Sequence, residues 1–140
     1  MSTEPPRVVI DPNVWVSGLI NPYGAPAEVV RAVILKRVTA VVSQHLLDEI
    51  AGVLARPKLR RWISLDDAAA LLDALVREAD VRPDSGPAPQ RVRDPDDDYI
   101  VALAEATGSV IVTGDHDLLE ADLTLPAITP RALIEQLRCA

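Results

Sequence analysis

This sequence predicts an α/β fold built on a mostly parallel sheet, and three observations carry the prediction. Short apolar, β-branched runs recur along the chain, RVVI at 7–10, TAVVS at 39–43 and SVIVT at 109–113, as expected of strands buried on both faces. Helical segments of about ten residues or more separate them, which is the alternation of βαβ units. Hydrophobic residues make up 49% of the chain, aromatics only 3%, and Phe is absent. The core must therefore be Val, Leu, Ile and Ala, which suits helices laid on a sheet. A chain of 140 residues fits one domain, 1–140, that buries roughly two-thirds of its unfolded surface.

The elements follow in order. Residues 1–6 are expected to form a disordered tail. The run RVVI is a buried strand that stops in a polar turn at Asp11-Pro12-Asn13. Ala25–Arg37 is the first long helix, with Pro26 tolerated in its first turn. After the second strand, Ser43 caps the helix QHLLDEIAGVLARP, which Pro57 ends. KLRRW forms a short helix, and Ser64 caps the longer SLDDAAALLDALVREA. Four prolines and one glycine make residues 82–95 an extended loop. YIVALAEAT is then a helix, SVIVT a strand and HDLLE a short helix, with a further short strand near Pro126–Thr129. There is no repeat and no second domain.

The single cysteine, Cys139, excludes an internal disulfide framework and agrees with a reducing cytoplasm. No apolar run approaches the roughly 20 residues needed to span a bilayer, so the expectation is a soluble, cytoplasmic protein with no membrane partner. The net charge of −7 argues against a non-specific nucleic-acid coat, unless the acids are gathered around cations.

Carboxylates stand where the apolar runs begin and end. Asp11 closes the first strand, Asp94, Asp96, Asp97 and Asp98 precede YIVALAEAT, and Asp115 and Asp117 follow SVIVTG. The carboxyl ends of strands in an open α/β sheet line the ligand crevice, so Asp11 and Asp115 are expected to point into one crevice. Glu49 falls on the shoulder of the stripe made by Leu46, Leu47, Ile50, Val53 and Leu54. Like charges in one crevice raise one another's pKa values, and a divalent cation removes the conflict. Mg²⁺ and Mn²⁺ take such oxygen ligands, and phosphodiester hydrolysis is the chemistry they support.

Read together, Asp11 in VVIDPNVWVSGLI, Glu49 in SQHLLDEIAGVLARPKL, Asp97 in DPDDDYIVALAEATG and Asp115 in IVTGDHDLL resemble the PIN domain. The likeness is greatest to the bacterial VapC-like toxins of toxin–antitoxin pairs, and it runs from about Arg7 to Leu137. The resemblance implies a three-layer α/β/α fold with four to five strands and a metal-dependent endoribonuclease. It makes Asp11, Glu49, Asp97 and Asp115 the acidic quartet that binds Mg²⁺ or Mn²⁺, with Asp98 and Asp117 as second-choice ligands and Asn13 and Thr113 in support. Asp97 is selected over its neighbours because the family's helix-start Asp stands sixteen residues before this threonine. The resemblance also implies an RNA substrate, a cognate antitoxin and a homodimer. Pro12 departs from the Thr or Ser that many relatives carry.

Other readings of these residues stand beside these. Asp94 or Asp96 can cap a helix, Glu49 can be an ordinary surface acid, and Asp115 can cap the short helix while also binding metal. His45, in the first turn of an amphipathic helix, reads as solvated, and His116 lies between two acids where substrate could pass. Arg56, Lys58, Arg60 and Arg61 beside Trp62 can grip phosphates or form a solvated helix with the tryptophan in the core, and Arg91 and Arg93 are a second possible phosphate contact. Val14, Trp15 and Leu19 suit a core or an interface equally. A receiver-like signalling module is the alternative of another class, but the only lysines are Lys36 and Lys58 in the first half of the chain, and that fold needs one after a late strand. A non-toxin nuclease of RNA processing fits the same acids.

Overall fold

A computed structural model describes residues 4–84 and 97–139. Arg91, Arg93, Asp94, Asp96 and most of the proline-rich segment lie outside the described residues. Four strands form one all-parallel sheet: β1 (Arg7–Ile10), β2 (Thr39–Val42), β3 (Asp80–Val81) and β4 (Val110–Val112), in the order β3-β2-β1-β4. The three apolar runs are the three long-paired strands, and Val8, Val9, Ile10, Val41, Ile111 and Val112 are all buried. Each such side chain contributes about 1.5–3 kcal/mol through removal from water. The stretch near 126–129 makes a single parallel bridge, Val112 to Ile128. β3 is too short to show a period in sequence. It is pinned by the Arg82 N–H donating to the Val42 carbonyl and by a 2.6 Å ion pair between Arg7 and Asp80 across β2. The hydrogen bond from Arg82 holds the Asp80 carboxyl below its ordinary value of 3.8; burial opposes this, and Arg7 adds to the lowering.

Helices flank the sheet in a three-layer arrangement. α1 (Pro12–Ile20) begins where the sequence predicts a polar turn, and this is a correction. Val14, Trp15 and Val16 are buried and Leu19 packs against the core, so these residues serve the interior. The helix was concealed because it is apolar on nearly every side, as a helix enclosed by others must be; it packs on α2 (Ala25–Ile34) and on α3 (Gln44–Leu54). Gly18 is required at the first of these contacts, where an added Cβ would stand 2.8 Å from Val30 Cγ2 and 3.0 Å from the Pro26 carbonyl oxygen. α2 is shorter than Ala25–Arg37: the chain leaves the helix at Leu35, and Lys36 takes a left-handed φ of 61°, a common way for helices to end.

Ser43 caps α3 by accepting from the Leu46 N–H at 3.2 Å, and Ser64 caps α4 (Leu65–Glu78) by accepting from the Asp67 N–H at 3.0 Å. A 3-10 turn, Pro57–Arg61, lies between them. α5 (Asp98–Thr107) covers the sheet and ends at Gly108, whose φ of 65° supplies the left-handed cap. α6 (His116–Leu119) and α7 (Pro130–Cys139) complete the chain. α7 has Pro130 at its first position and the Thr129 hydroxyl accepting from the Ala132 N–H at 3.1 Å, and it packs on α2. No helix among the described residues is long and apolar enough to cross a membrane.

Candidate active site

The strand order sets the place of the site. The chain runs from β1 outward to β2 and β3, then returns to the other side of β1 as β4, so the order reverses between β1 and β4. Ligand crevices in parallel sheets open at such a switch point, beyond the carboxyl ends of the strands. Asp11 follows β1 there, and Thr113, Gly114 and Asp115 follow β4.

Asp11 is 6% exposed. Its Oδ1 accepts from the Asn13 N–H at 2.9 Å, capping α1, and its Oδ2 accepts from the Thr113 hydroxyl at 2.7 Å. The same hydroxyl, fully buried, accepts from the Asp115 N–H at 3.0 Å, and Asp115 Oδ1 accepts from the Asp117 N–H at 2.9 Å, capping α6. One continuous chain of bonds thus fixes Asp11 and Asp115 relative to each other. Among the described residues no cation pairs with Asp11. A buried carboxylate without a counter-charge is costly, and such residues gather at functional sites.

Glu49 lies on α3 and Asp97 at the start of α5. Glu49 is 53% exposed at its side chain and lies 3.7 Å from His45. Asp97 occupies the position before α5 without a side-chain capping bond. Both act on Tyr99, the second residue of α5. Burial first, and then the charges of Glu49, Asp11, Asp97 and Asp84, push the Tyr99 phenol well above its ordinary value of 10.0, so its hydroxyl stays protonated and is a donor among acids. Tyr99 also stacks on His45 with ring centroids 3.8 Å apart and an interplanar angle of 12°. Asp84 accepts from the His45 N–H at 3.1 Å at the start of α3.

Sequence reasoning missed Tyr99, His45 and Asp84 as members of this neighbourhood. Tyr99 stands two residues after Asp97 and was legible as a site flank. The contact of His45 with it joins the first turns of α3 and α5, which periodicity does not reveal. Asp11 and Asp115 are joined through Thr113, and Glu49, Asp11 and Asp97 all act on Tyr99, yet among the described residues no three His, Cys, Asp or Glu side chains are close enough to enclose a metal ion as they stand. The donor set nonetheless suits a hard cation: it is all oxygen, and each Asp11 oxygen accepts one bond and keeps a lone pair. Glu49, half-exposed on a flexible side chain, is free to close on such an ion. Asp98 lies in the first turn of α5 and Asp117 in that of α6, beside the primary acids.

The basic segment lies elsewhere. α3 starts at the carboxyl edge of β2 and its 11 residues carry the chain about 16 Å away before Arg56, Lys58, Arg60 and Arg61. Arg60 donates to the Leu54 carbonyl, and Arg61 lies over the Trp62 ring at 5.1 Å. Trp62 is 52% exposed, and Leu59 fills the core in its place.

Fold and site together define a parallel α/β domain with a carboxylate crevice at its switch point. The family profile of the PIN domain matches residues 7–117, and the chain belongs to that family, whose members are generally metal-dependent nucleases that act on RNA. The uncharacterized protein MJ1680 of Methanocaldococcus jannaschii is 27% identical over 140 residues, covering 93% of this chain and 90% of that one. The crystal structure of PAE2754 from Pyrobaculum aerophilum superposes with a TM-score of 0.63 at 20% identity, over 97% of this chain and 91% of the other; that likeness concerns the fold.

Proposed function

We propose that the protein is a Mg²⁺- or Mn²⁺-dependent endoribonuclease whose metal-holding residues are Asp11, Glu49, Asp97 and Asp115, acting in the cytoplasm. The observation that carries this reading is Asp11: a buried carboxylate with no counter-charge among the described residues, locked by Thr113, at the switch point of the sheet. A divalent ion there would supply an activated water and charge stabilisation for hydrolysis of a phosphodiester. The protein's own part is orientation. Asn13 and Thr113 fix both oxygens of Asp11, Asp117 fixes one of Asp115, and Glu49 adjusts from the exposed side. Family membership favours RNA as the substrate. The toxin role, with an antitoxin partner and a homodimer, rests on resemblance alone, and growth arrest on expression, relieved by the product of a neighbouring short reading frame, is its test.

The nuclease is tested by incubating a structured RNA with the protein under Mg²⁺, Mn²⁺ or EDTA beside Asp97→Ala. Cleavage that needs metal and disappears in the variant is expected. Equal cleavage by Asp97→Ala, or cleavage in EDTA, would sink the assignment.

A further inference from the structure

A cleft of about 320 Å³ adjoins the acids, within the range of small-ligand sites. Asn13 and Gly114 form its edge on the carboxylate side: the first donates to Asp11 and the second lies between Thr113 and Asp115. Ser17 and Ala25, both small, line its floor with Thr129, and Arg131 is its one charged lining residue. Arg138 is tied to Glu28 at 3.3 Å, Arg31 to the Pro22 carbonyl and Arg37 to the Leu137 carbonyl. Arg131 is exposed, and among the described residues no ion pair or hydrogen bond engages it.

Beyond Arg131 the cleft continues into a smaller one of about 110 Å³ that shares Ala25 and Arg131 and is bordered by Tyr23. Tyr23 is 91% exposed in a chain with only two tyrosines. Its backbone is held in a turn, because the Asn21 side chain accepts from the Tyr23 N–H at 3.1 Å, the local turn such residues make. This outer cleft also carries Glu28, Glu135 and Arg138. Its charges balance, so it suits a neutral aromatic base rather than a phosphate.

We infer that this cleft is a subsite for single-stranded RNA flanking the cleaved bond, with Arg131 on a backbone phosphate and Tyr23 stacked on an unpaired base. The order of the groups fits a strand leaving the acids: carboxylates, then a lone cation, then an exposed aromatic ring. Backbone cations and stacking rings are the two elements of single-strand recognition. The inference rests on the nuclease reading for its direction along the strand, but its test does not require cleavage.

Fluorescence anisotropy of a labelled 2′-O-methyl oligonucleotide, which resists hydrolysis, reads binding to the wild type, Tyr23→Ala and Arg131→Ala in Mg²⁺ at several salt concentrations. Tyr23→Ala is expected to weaken binding by roughly 5- to 150-fold, the equivalent of one lost stack. Arg131→Ala is expected to reduce the slope of log affinity against log salt by about 0.7, one phosphate contact on a single strand. Both side chains are exposed, and circular dichroism checks that the variants fold. Losses in both variants without any cleavage by the wild type would uphold the cleft and end the nuclease reading. Metal-dependent cleavage with affinity and slope unchanged in both variants would overturn the cleft alone, as would no binding by the wild type. A dimer in sedimentation that Tyr23→Ala dissociates would assign the face to a second copy of the chain and overturn the inference.

Discussion

Replacing Thr113 by Val probes the bond network that holds the candidate site. Valine matches threonine in shape, so at this fully buried position it leaves no cavity and the change isolates the hydroxyl. That hydroxyl gives Asp11 its 2.7 Å bond and accepts from the Asp115 N–H at 3.0 Å. A hydrogen bond to a buried charge contributes about 1.5–3 kcal/mol, and the orphaned N–H, on a residue that water can partly reach, adds about 1 kcal/mol. The variant should lose roughly 2–4 kcal/mol, against a total stability of about 5–15 kcal/mol for a domain. It should still fold, with a melting temperature lower by roughly 6–15 °C. Urea unfolding followed by circular dichroism at pH 7 in EDTA measures the loss. Thr113→Ser is the control: it keeps the hydroxyl and loses one buried methyl, worth about 1 kcal/mol. A loss below about 0.5 kcal/mol in Thr113→Val, near the scatter of surface changes, or an equal loss in Thr113→Ser, would refute the claim that this hydroxyl holds Asp11 in place.

Gly18→Ala should destabilise the fold by about 1–3 kcal/mol through overpacking, because the new Cβ meets the Pro26 carbonyl oxygen at 3.0 Å; a gain of about 1 kcal/mol from helix propensity, read by the same urea titration, would place α1 and α2 further apart. Asp80 ionises more readily in the folded chain than its ordinary value of 3.8, so it adds stability above that pH, and the contribution fades as the pH falls through the lowered value. Wild type should accordingly exceed Asp80→Asn in stability at pH 7 and lose that margin as the pH falls below 3.8; a margin that grows on acidification would contradict the pairing with Arg82 and Arg7. Asp11→Asn and Asp115→Asn should keep their helix caps and lose metal-dependent cleavage, whereas Asp11→Ala should lose about 1 kcal/mol of stability as well; thermal melts beside cleavage assays separate the two effects.

Most of the parallel sheet was legible because its strands are short β-branched runs buried on both faces, a pattern that few other structures give. The helices α3 and α4 were legible through their serine caps and period. α1 was not, since in PNVWVSGLI only Asn13 and Ser17 are polar and set the phase weakly, and β3 was not, since two residues have no period. Asp11 and Asp115 could be placed because each lies within three residues of a strand's carboxyl end. Glu49 was harder, for a residue on the shoulder of a helix is aimed only by the tilt of that helix. The stacking of His45 on Tyr99 and the bond from Asp84 to α3 join elements far apart in sequence, and no local pattern encodes them. The basic cluster at 56–61 was visible as composition, but its distance from the acids is set by the length and direction of α3.

The capping reading and the proposed metal reading of these aspartates are not rivals, because one carboxylate can serve both. Only Asp11 separates β1 from α1, and only Thr113, Gly114 and Asp115 separate β4 from α6, so the residue before each helix lies beyond a strand's carboxyl end and caps the helix. Pro12 has no N–H, leaving the Asn13 N–H as the donor that Asp11 Oδ1 accepts at 2.9 Å. That bond fixes the carboxylate's rotamer at the edge of the crevice, and the partial positive charge of the helix start offsets some of the cost of keeping it ionised while buried. A carboxylate oxygen has two lone pairs, so capping consumes half of its capacity and orients the other half. Asp97 differs. Its side chain makes no capping bond to α5, so it is not oriented by a helix start as Asp11 and Asp115 are. Under the proposed metal reading, the two capping carboxylates, Asp11 and Asp115, would hold the reference geometry without an ion, and the half-exposed Glu49 would adjust to one.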